Sequence, residues 1–128
     1  MINFLNLKNR FWRGMKNSMQ GFYYHYKRSP DAPVTEGAYE VLGTAFNTEV
    51  SGPHSSNPKD FEQTEVVVYR PLFTESLVYT AGKRFWIRPL SMFLENVEHN
   101  GKQVPRFQKI SDQKTIDLLT DFARKLYC

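Results

Sequence analysis

The sequence has a single cysteine, Cys128. One thiol can form neither an internal disulfide nor a thiolate metal site, so a reducing compartment is expected. Long apolar runs are also missing, because the longest, Val66 to Tyr69, is far shorter than the roughly 20 residues that a membrane-spanning helix needs. With 128 residues, the chain is predicted to be one soluble, cytoplasmic domain without a transmembrane segment.

Motifs of catalysis and cofactor binding are equally scarce. The three histidines, His25, His54 and His99, are too far apart to place two metal ligands on one element. The seven glycines are dispersed, and neither a phosphate-binding loop nor a nucleophile elbow is present. We therefore expect no metal, no cofactor and no catalytic residue that sequence alone identifies.

The net charge of +4 is concentrated at the N-terminus. Residues 1–28 contain six Lys or Arg and no acidic residue, whereas residues 29–128 contain 11 basic and 13 acidic residues. Attraction to phosphate or anionic lipid is thus expected from the N-terminal segment, not from the remainder of the chain.

Residues 1–21 are predicted to form a basic amphipathic helix. At 100° per residue, Phe4, Phe11, Trp12 and Met15 lie on one face, opposite Arg13 and other polar residues. Three interpretations remain open: a helix that packs on the domain, a mitochondrial targeting peptide, or a helix that binds a membrane surface, a protein or a nucleic acid.

Residues 22–110 are predicted to be a β domain, because they contain short segments rich in aromatic and β-branched residues, each bounded by turn-forming residues. The predicted strands are Phe22–Arg28, Tyr39–Asn47 with a bulge at Gly43, Glu65–Leu72, Leu77–Thr80, Phe85–Arg88 and Arg106–Ile110. Pro89 is expected to start a short helical turn, and Asn100-Gly101 to form the tip of a hairpin.

Residues 111–128 are predicted to form a C-terminal helix that packs on the β domain. Ser111 is the expected N-cap, and Leu119 and Ala123 belong to an apolar stripe at helical spacing. The order of helix, short strands and helix predicts a mainly β fold: a small barrel or strongly curved antiparallel sheet with an amphipathic helix at each end.

Two arginines near predicted strand ends are the main candidates for a binding site. Arg70 and Arg88 each follow a strand segment that contains an aromatic residue, and each precedes a proline. A guanidinium at such a position can bind a carboxylate or phosphate ligand or stack on an aromatic ring. The alternative is an internal ion pair with Glu40, Glu49 or Glu95.

Several sequence blocks resemble the family called domain of unknown function 1653. The blocks, which run in order over about residues 22–110, are Tyr24-His25-Tyr26-Lys27, Tyr39-Glu40-Val41-Leu42-Gly43-Thr44-Ala45, Thr48-Glu49, Val67-Val68-Tyr69-Arg70-Pro71-Leu72 and Trp86-Ile87-Arg88-Pro89-Leu90-Ser91-Met92-Phe93-Leu94-Glu95. The resemblance implies an SH3-like barrel and no assigned activity.

The leading functional hypothesis is a non-enzymatic binding module for a polar or anionic ligand, a peptide or a nucleic acid. Its predicted ligand-binding residues, at the rim of the barrel, are His25, Tyr26, Glu49, Tyr69, Arg70, Trp86 and Arg88. The alternatives are an enzyme that uses His25 and Glu49 as an acid-base pair and a structural subunit that docks through its N-terminal helix. The partner is unknown, and mitochondrial import is the alternative to a cytoplasmic location.

Overall fold

The computed structural model describes residues 19–47, 65–82 and 85–127, and within these ranges the chain is mainly β. The strands are β1 (Gly21–His25), β2 (Ala38–Phe46), β3 (Glu65–Pro71), β4 (Trp86–Pro89), β5 (Asn96–His99), β6 (Lys102–Pro105) and β7 (Phe107–Lys109). The helices are α1 (Leu77–Thr80), α2 (Leu90–Phe93) and α3 (Gln113–Tyr127). In the described ranges, no helix combines the length and apolar character needed to cross a bilayer.

Five strands form one antiparallel sheet in the order β4-β3-β2-β1-β7. A change of register between Val41 and Gly43 marks the predicted bulge in β2. Strands β5 and β6 form a separate hairpin. Asn100 and Gly101 at its tip have φ angles of 54° and 78°, as a type I′ turn requires.

The sheet has two faces with different cores. The helix face packs against α3, through buried residues that include Phe22, Ala38, Leu119 and Ala123. The aromatic face carries the second cluster, Tyr23, Val41, Val67, Tyr69, Phe93 and Phe107. Side chains that are directly opposite each other on paired strands share a face, so register assigns every strand residue to one core or the other.

The sheet curves strongly around its aromatic face. Neighbouring strands are about 4.8 Å apart, so β4 and β7 would be about 19 Å apart in a flat sheet. Nevertheless, the guanidinium carbon of Arg88 on β4 lies 5.5 Å from the ring centre of Phe107 on β7. Phe93 of α2 fills the concave side, where its ring stacks on Phe107 at 4.4 Å.

The predicted closed barrel is wrong. Within the described residues, β4 and β7 are at opposite ends of the strand order and do not pair with each other. The two edges are bridged by side-chain contacts and not by backbone hydrogen bonds. These contacts are made by Phe93, Phe107 and Arg88. Of the predicted N-terminal helix, residues 1–18 lie outside the described ranges, and Gly21 already belongs to β1.

Residues Leu77–Thr80 form the short helix α1, so the predicted strand there is wrong. Ser76 explains the difference, because its buried hydroxyl oxygen accepts a hydrogen bond from the Tyr79 N–H at 3.2 Å. Its carbonyl oxygen accepts the Thr80 N–H at 3.0 Å. A serine that satisfies N–H groups in this way starts a helical turn and opposes an extended chain.

Helix α3 begins one residue later than the predicted N-cap implies. Asp112, rather than Ser111, caps it, since its carboxylate accepts hydrogen bonds from the Thr115 N–H at 3.0 Å and the Thr115 hydroxyl at 2.6 Å. These bonds lower the pKa of the Asp112 carboxyl group. The predicted apolar stripe is confirmed, because Leu119 and Ala123 are buried against the helix face.

An ion pair beneath the end of α3 ties the helix to the sheet. Arg70 Nε donates to Glu40 Oε1 at 2.7 Å, and the guanidinium carbon lies 4.2 Å from the ring centre of Tyr127. The Tyr127 hydroxyl donates to the Pro71 carbonyl oxygen at 2.6 Å. The side chains of Arg70 and Glu40 are 14% and 24% exposed, so losing one partner would leave a largely desolvated charge.

We predict that Arg70→Met lowers the free energy of unfolding by about 1–3 kcal/mol, because Glu40 loses its partner and Tyr127 its cation contact. Urea unfolding of the whole chain measures this loss. Arg124→Met, which removes an exposed arginine from α3, is the matched control and should change the free energy by less than about 0.5 kcal/mol. Equal losses in the two variants would contradict the assigned role.

Candidate functional site

The predicted site residues separate according to the two faces of the sheet. Arg88 pairs in register with Val67 and thus lies on the aromatic face, whereas Arg70 lies beside Glu40 on the helix face. The structure therefore does not bring the two guanidiniums together. For Arg70, the internal ion pair with Glu40 that the sequence offered as an alternative is confirmed.

Most of the other predicted residues gather on or beside the aromatic face. Trp86 packs against Tyr69, with ring centres 6.0 Å apart, and the Tyr69 hydroxyl accepts a long hydrogen bond of 3.4 Å from Arg88 Nε. Tyr26 follows β1 and contacts His99, with 5.5 Å between ring centres. Glu49 lies outside the described residues, so the proposed pairing of His25 with Glu49 stays a prediction.

Arg88 is a half-buried cation that pairs with no acidic residue among those described. Its side chain contacts Tyr69 and Phe107, and no carboxylate in the described ranges pairs with it. A cation that is partly removed from water and bonded to neutral groups attracts anions more strongly than an exposed one. Arg88 is therefore the arginine of the pair that is suited to a ligand.

His25 presents one nitrogen for a ligand. Its Nδ1 accepts a hydrogen bond from the Lys27 N–H at 3.1 Å, so the neutral ring carries its proton on Nε2. Burial lowers the pKa of His25, and the positive charges of Arg106, Lys27 and Arg88 lower it further. The ring is thus a neutral donor within a positive environment.

Tyr39 is a central residue that the sequence did not single out. Its ring contacts those of Tyr69 at 5.7 Å, Phe73 at 5.6 Å and Phe107 at 5.6 Å between centres. Burial is the main cause that raises the pKa of its hydroxyl group, which therefore remains protonated at neutral pH. Tyr39 lies opposite Tyr23 on the neighbouring strand. This position would have indicated a place in the aromatic core, but it can be recognised only when the register of the two strands is known.

A surface pocket of about 370 Å³, here called the His25 pocket, opens beside these groups. Its lining residues are His25, Lys27, Arg28, Ser29, Glu36, Gly37 and Tyr39. Hydrogen-bond donors predominate, namely an imidazole, an ammonium, a hydroxyl and a phenol, while Glu36 supplies an acceptor. No group of three His, Cys, Asp or Glu side chains suited to a metal occurs in residues 19–47, 65–82 and 85–127.

Arg28 shapes the wall of the His25 pocket rather than offering a free charge. Its guanidinium donates to the carbonyl oxygens of Glu36 at 2.8 Å, Ala32 at 3.0 Å and Pro33 at 3.2 Å. It also stacks on Tyr24, 3.8 Å from the ring centre. These contacts fix the loop between β1 and β2, which supplies five of the seven residues that line the pocket.

Gly37 forms the seam between this loop and β2. Its φ of +67° is a conformation that side chains disfavour, and a Cβ atom there would lie 3.1 Å from the Arg28 Cβ. Because Arg28 is held by three hydrogen bonds, its chain has little freedom to move away. A glycine is thus required for both conformation and space.

Comparison with known proteins gives a family match without an activity. Residues 57–109 match the model of the family described as Protein of unknown function (DUF1653), which confirms the resemblance found in the sequence. The match covers less than half of the chain. It includes Arg88 and Phe107 but begins after His25 and Tyr39. No curated protein and no solved structure matches the chain.

The lowered pKa of His25 predicts a pH dependence of stability. The folded chain binds the proton less readily than the unfolded chain, so stability should decrease as the pH falls through the ordinary histidine value of about 6.5 and level off below the folded pKa. Urea unfolding between neutral and mildly acidic pH measures the decrease. His25→Asn keeps an acceptor for the Lys27 N–H and should lose less stability over this interval; an identical decrease would contradict the assignment.

A second prediction concerns the seam of the pocket. Gly37→Ala should lower the free energy of unfolding by about 2 kcal/mol, through backbone strain plus displacement of Arg28. Gly82→Ala is the matched control, because Gly82 has a similar φ of +71° but open space at its Cβ position. Chemical denaturation should show a smaller loss of unfolding free energy for Gly82→Ala. An equal loss in the two variants would mean that displacing the Arg28 side chain costs no free energy.

Proposed function

We propose that the protein is a non-enzymatic binding module for a small anionic ligand, a molecule carrying a carboxylate or phosphate group. The observation that carries the proposal is the convergence of positive charges on a neutral His25. Lys27 lines the pocket beside His25, and the Arg106 carbonyl oxygen accepts the Tyr26 N–H at 3.0 Å. The Arg88 guanidinium carbon and the centre of the His25 ring lie 5.5 Å and 5.3 Å from the centre of the same Phe107 ring. All three cations also lower the pKa of His25. An anion placed there would relieve this mutual repulsion and gain hydrogen bonds at the same time.

The neutral donors would determine how the ligand is oriented. His25 has its Nδ1 occupied by the Lys27 N–H, so its Nε2–H would donate to an oxygen of the ligand. The Tyr39 phenol, which also lines the pocket, would provide a second donor. Two fixed donors beside a positive field favour an oxyanion over a neutral carbonyl compound.

Arg88 and Arg106 would contribute unequally. Arg106 already forms an ion pair with Glu95, which compensates much of its charge. Arg88 has no such partner among the described residues, and its contacts with Tyr69 and Phe107 would hold its side chain in place. Arg88 is outside the residues that line the His25 pocket, so we expect its guanidinium to reach the anionic group of the ligand from beside the pocket.

Several finer predictions stay open beside this proposal. The SH3-like arrangement rests on the family resemblance, and the cytoplasmic or mitochondrial location rests on the sequence. A catalytic pair of His25 and Glu49 would require the two side chains to meet in an open pocket. The binding module is preferred because it depends on described contacts alone.

The proposal is tested by titrating inorganic phosphate and acetate into isotope-labelled protein at constant ionic strength. We expect NMR shift changes centred on His25, Gly37 and Tyr39 and a rise in the pKa of His25, because a bound anion offsets the surrounding cations. Sodium chloride at the same ionic strength should cause neither effect.

Arg88→Gln should weaken anion binding by roughly five- to tenfold, the loss expected for one charge-assisted contact. Arg124→Gln, which changes the same charge on the exposed side of α3, is the control and should leave affinity unchanged. Equal weakening in both variants would mean that bulk charge attracts the anion. No shift changes at His25 or Tyr39 with either anion would overturn the proposal.

A further inference from the structure

A second and larger pocket adjoins the His25 pocket. It measures about 540 Å³ and is lined by Pro33, Thr35, Glu36, Gly37, Phe73 and Glu75. Glu36 and Gly37 line both pockets, so the two meet at Gly37 and are together called the cleft. We call this second part the Glu75 pocket.

The Glu75 pocket has the opposite chemistry to the His25 pocket. It carries two carboxylates, those of Glu36 and Glu75, and neither pairs with a cation in the described part of the chain. Phe73 supplies an aromatic wall. Carboxylates next to an aromatic ring are typical surroundings for an alkylammonium group.

The apolar rings continue from one pocket into the other. Tyr39 lines the His25 pocket, Phe73 lines the Glu75 pocket, and their ring centres are 5.6 Å apart in an edge-to-face contact. Such rings form a surface on which methylene groups can lie. Gly37, at the shared boundary, adds no side chain to divide the cleft.

We infer that the two pockets bind a single zwitterionic ligand, with its acidic group in the His25 pocket and its ammonium group between Glu36, Glu75 and Phe73. This inference rests on the proposed function and deepens it by naming the ligand class as an ω-amino acid or a related amine-bearing acid. A dianion would meet repulsion at Glu75, and a diamine would meet it at Lys27, which lines the His25 pocket. A zwitterion alone matches both ends.

The test compares matched pairs of compounds that differ by the ammonium group. γ-Aminobutyrate, δ-aminovalerate and ε-aminocaproate are titrated beside butyrate, valerate and caproate, with NMR shifts as the readout. We expect at least one amino acid to bind roughly fivefold or more tightly than its matched acid, the difference of one partly exposed charge pair. Its shift changes should include Phe73 and Glu75 as well as His25.

Glu75→Gln should reduce this preference by roughly twofold or more, because only Glu36 then faces the ammonium group, while leaving the affinity of the plain acids unchanged. Glu98→Gln, which neutralises an exposed carboxylate on the hairpin, is the matched control and should keep the preference. Circular dichroism of each variant verifies that the fold is retained.

The outcomes separate this inference from the proposed function. If each amino acid and its matched acid bind equally, in an Arg88-dependent manner, the zwitterion is wrong and the anion site stands. If amino acids bind through Glu75 with no effect of Arg88→Gln, the anion site is wrong and, with it, the inference. If neither series produces shift changes along the cleft, both are wrong.

Discussion

The register between β3 and β4 is the constraint on which the rest of the structure depends. Val67 lies opposite Arg88 and Tyr69 opposite Trp86, so Arg88 shares a face with Tyr69. Arg70, the next residue after Tyr69, necessarily points to the other face. A shift of β4 by one residue would move Arg88 to the helix face, where Arg70 is already paired with Glu40 across β2 and β3. The pairing of β4 thus decides whether a guanidinium is present on the aromatic face.

Curvature follows from how the aromatic face is filled. The rings of Phe93, Phe107 and Tyr69 are too large for a flat layer to cover, and bending the sheet around them buries their surface from several strands at once. The bend brings Arg88 from one edge to Phe107 at the other. Two of the three cations near His25, Arg88 and Arg106, therefore come from β4 and from the segment before β7, which are at opposite ends of the strand order.

Local signals in the sequence predicted local structure well. The strand at Glu65, the bulge at Gly43, the turn at Asn100-Gly101 and the apolar stripe of the last helix depend on neighbouring residues, and the structure confirms them. Barrel closure and the common site of Arg70 and Arg88 depended on strand order and register, which composition and periodicity do not encode. The roles of Tyr39 and Arg106 were missed for the same reason.

The charges beside Gly37 differ in kind from those that stabilise the fold. Arg70 with Glu40 and Arg106 with Glu95 are paired across elements, as partly buried charges require. Lys27 in the His25 pocket, Glu75 in the second pocket and Glu36, which lines both, form no ion pairs within the described ranges. Arg88, beside the His25 pocket, likewise pairs with no described carboxylate. Packing keeps them apart, because Arg28 fixes the loop that carries Glu36 by bonding to its backbone and not to its carboxylate. The fold thus maintains a separation of charge that a ligand with both signs would complete.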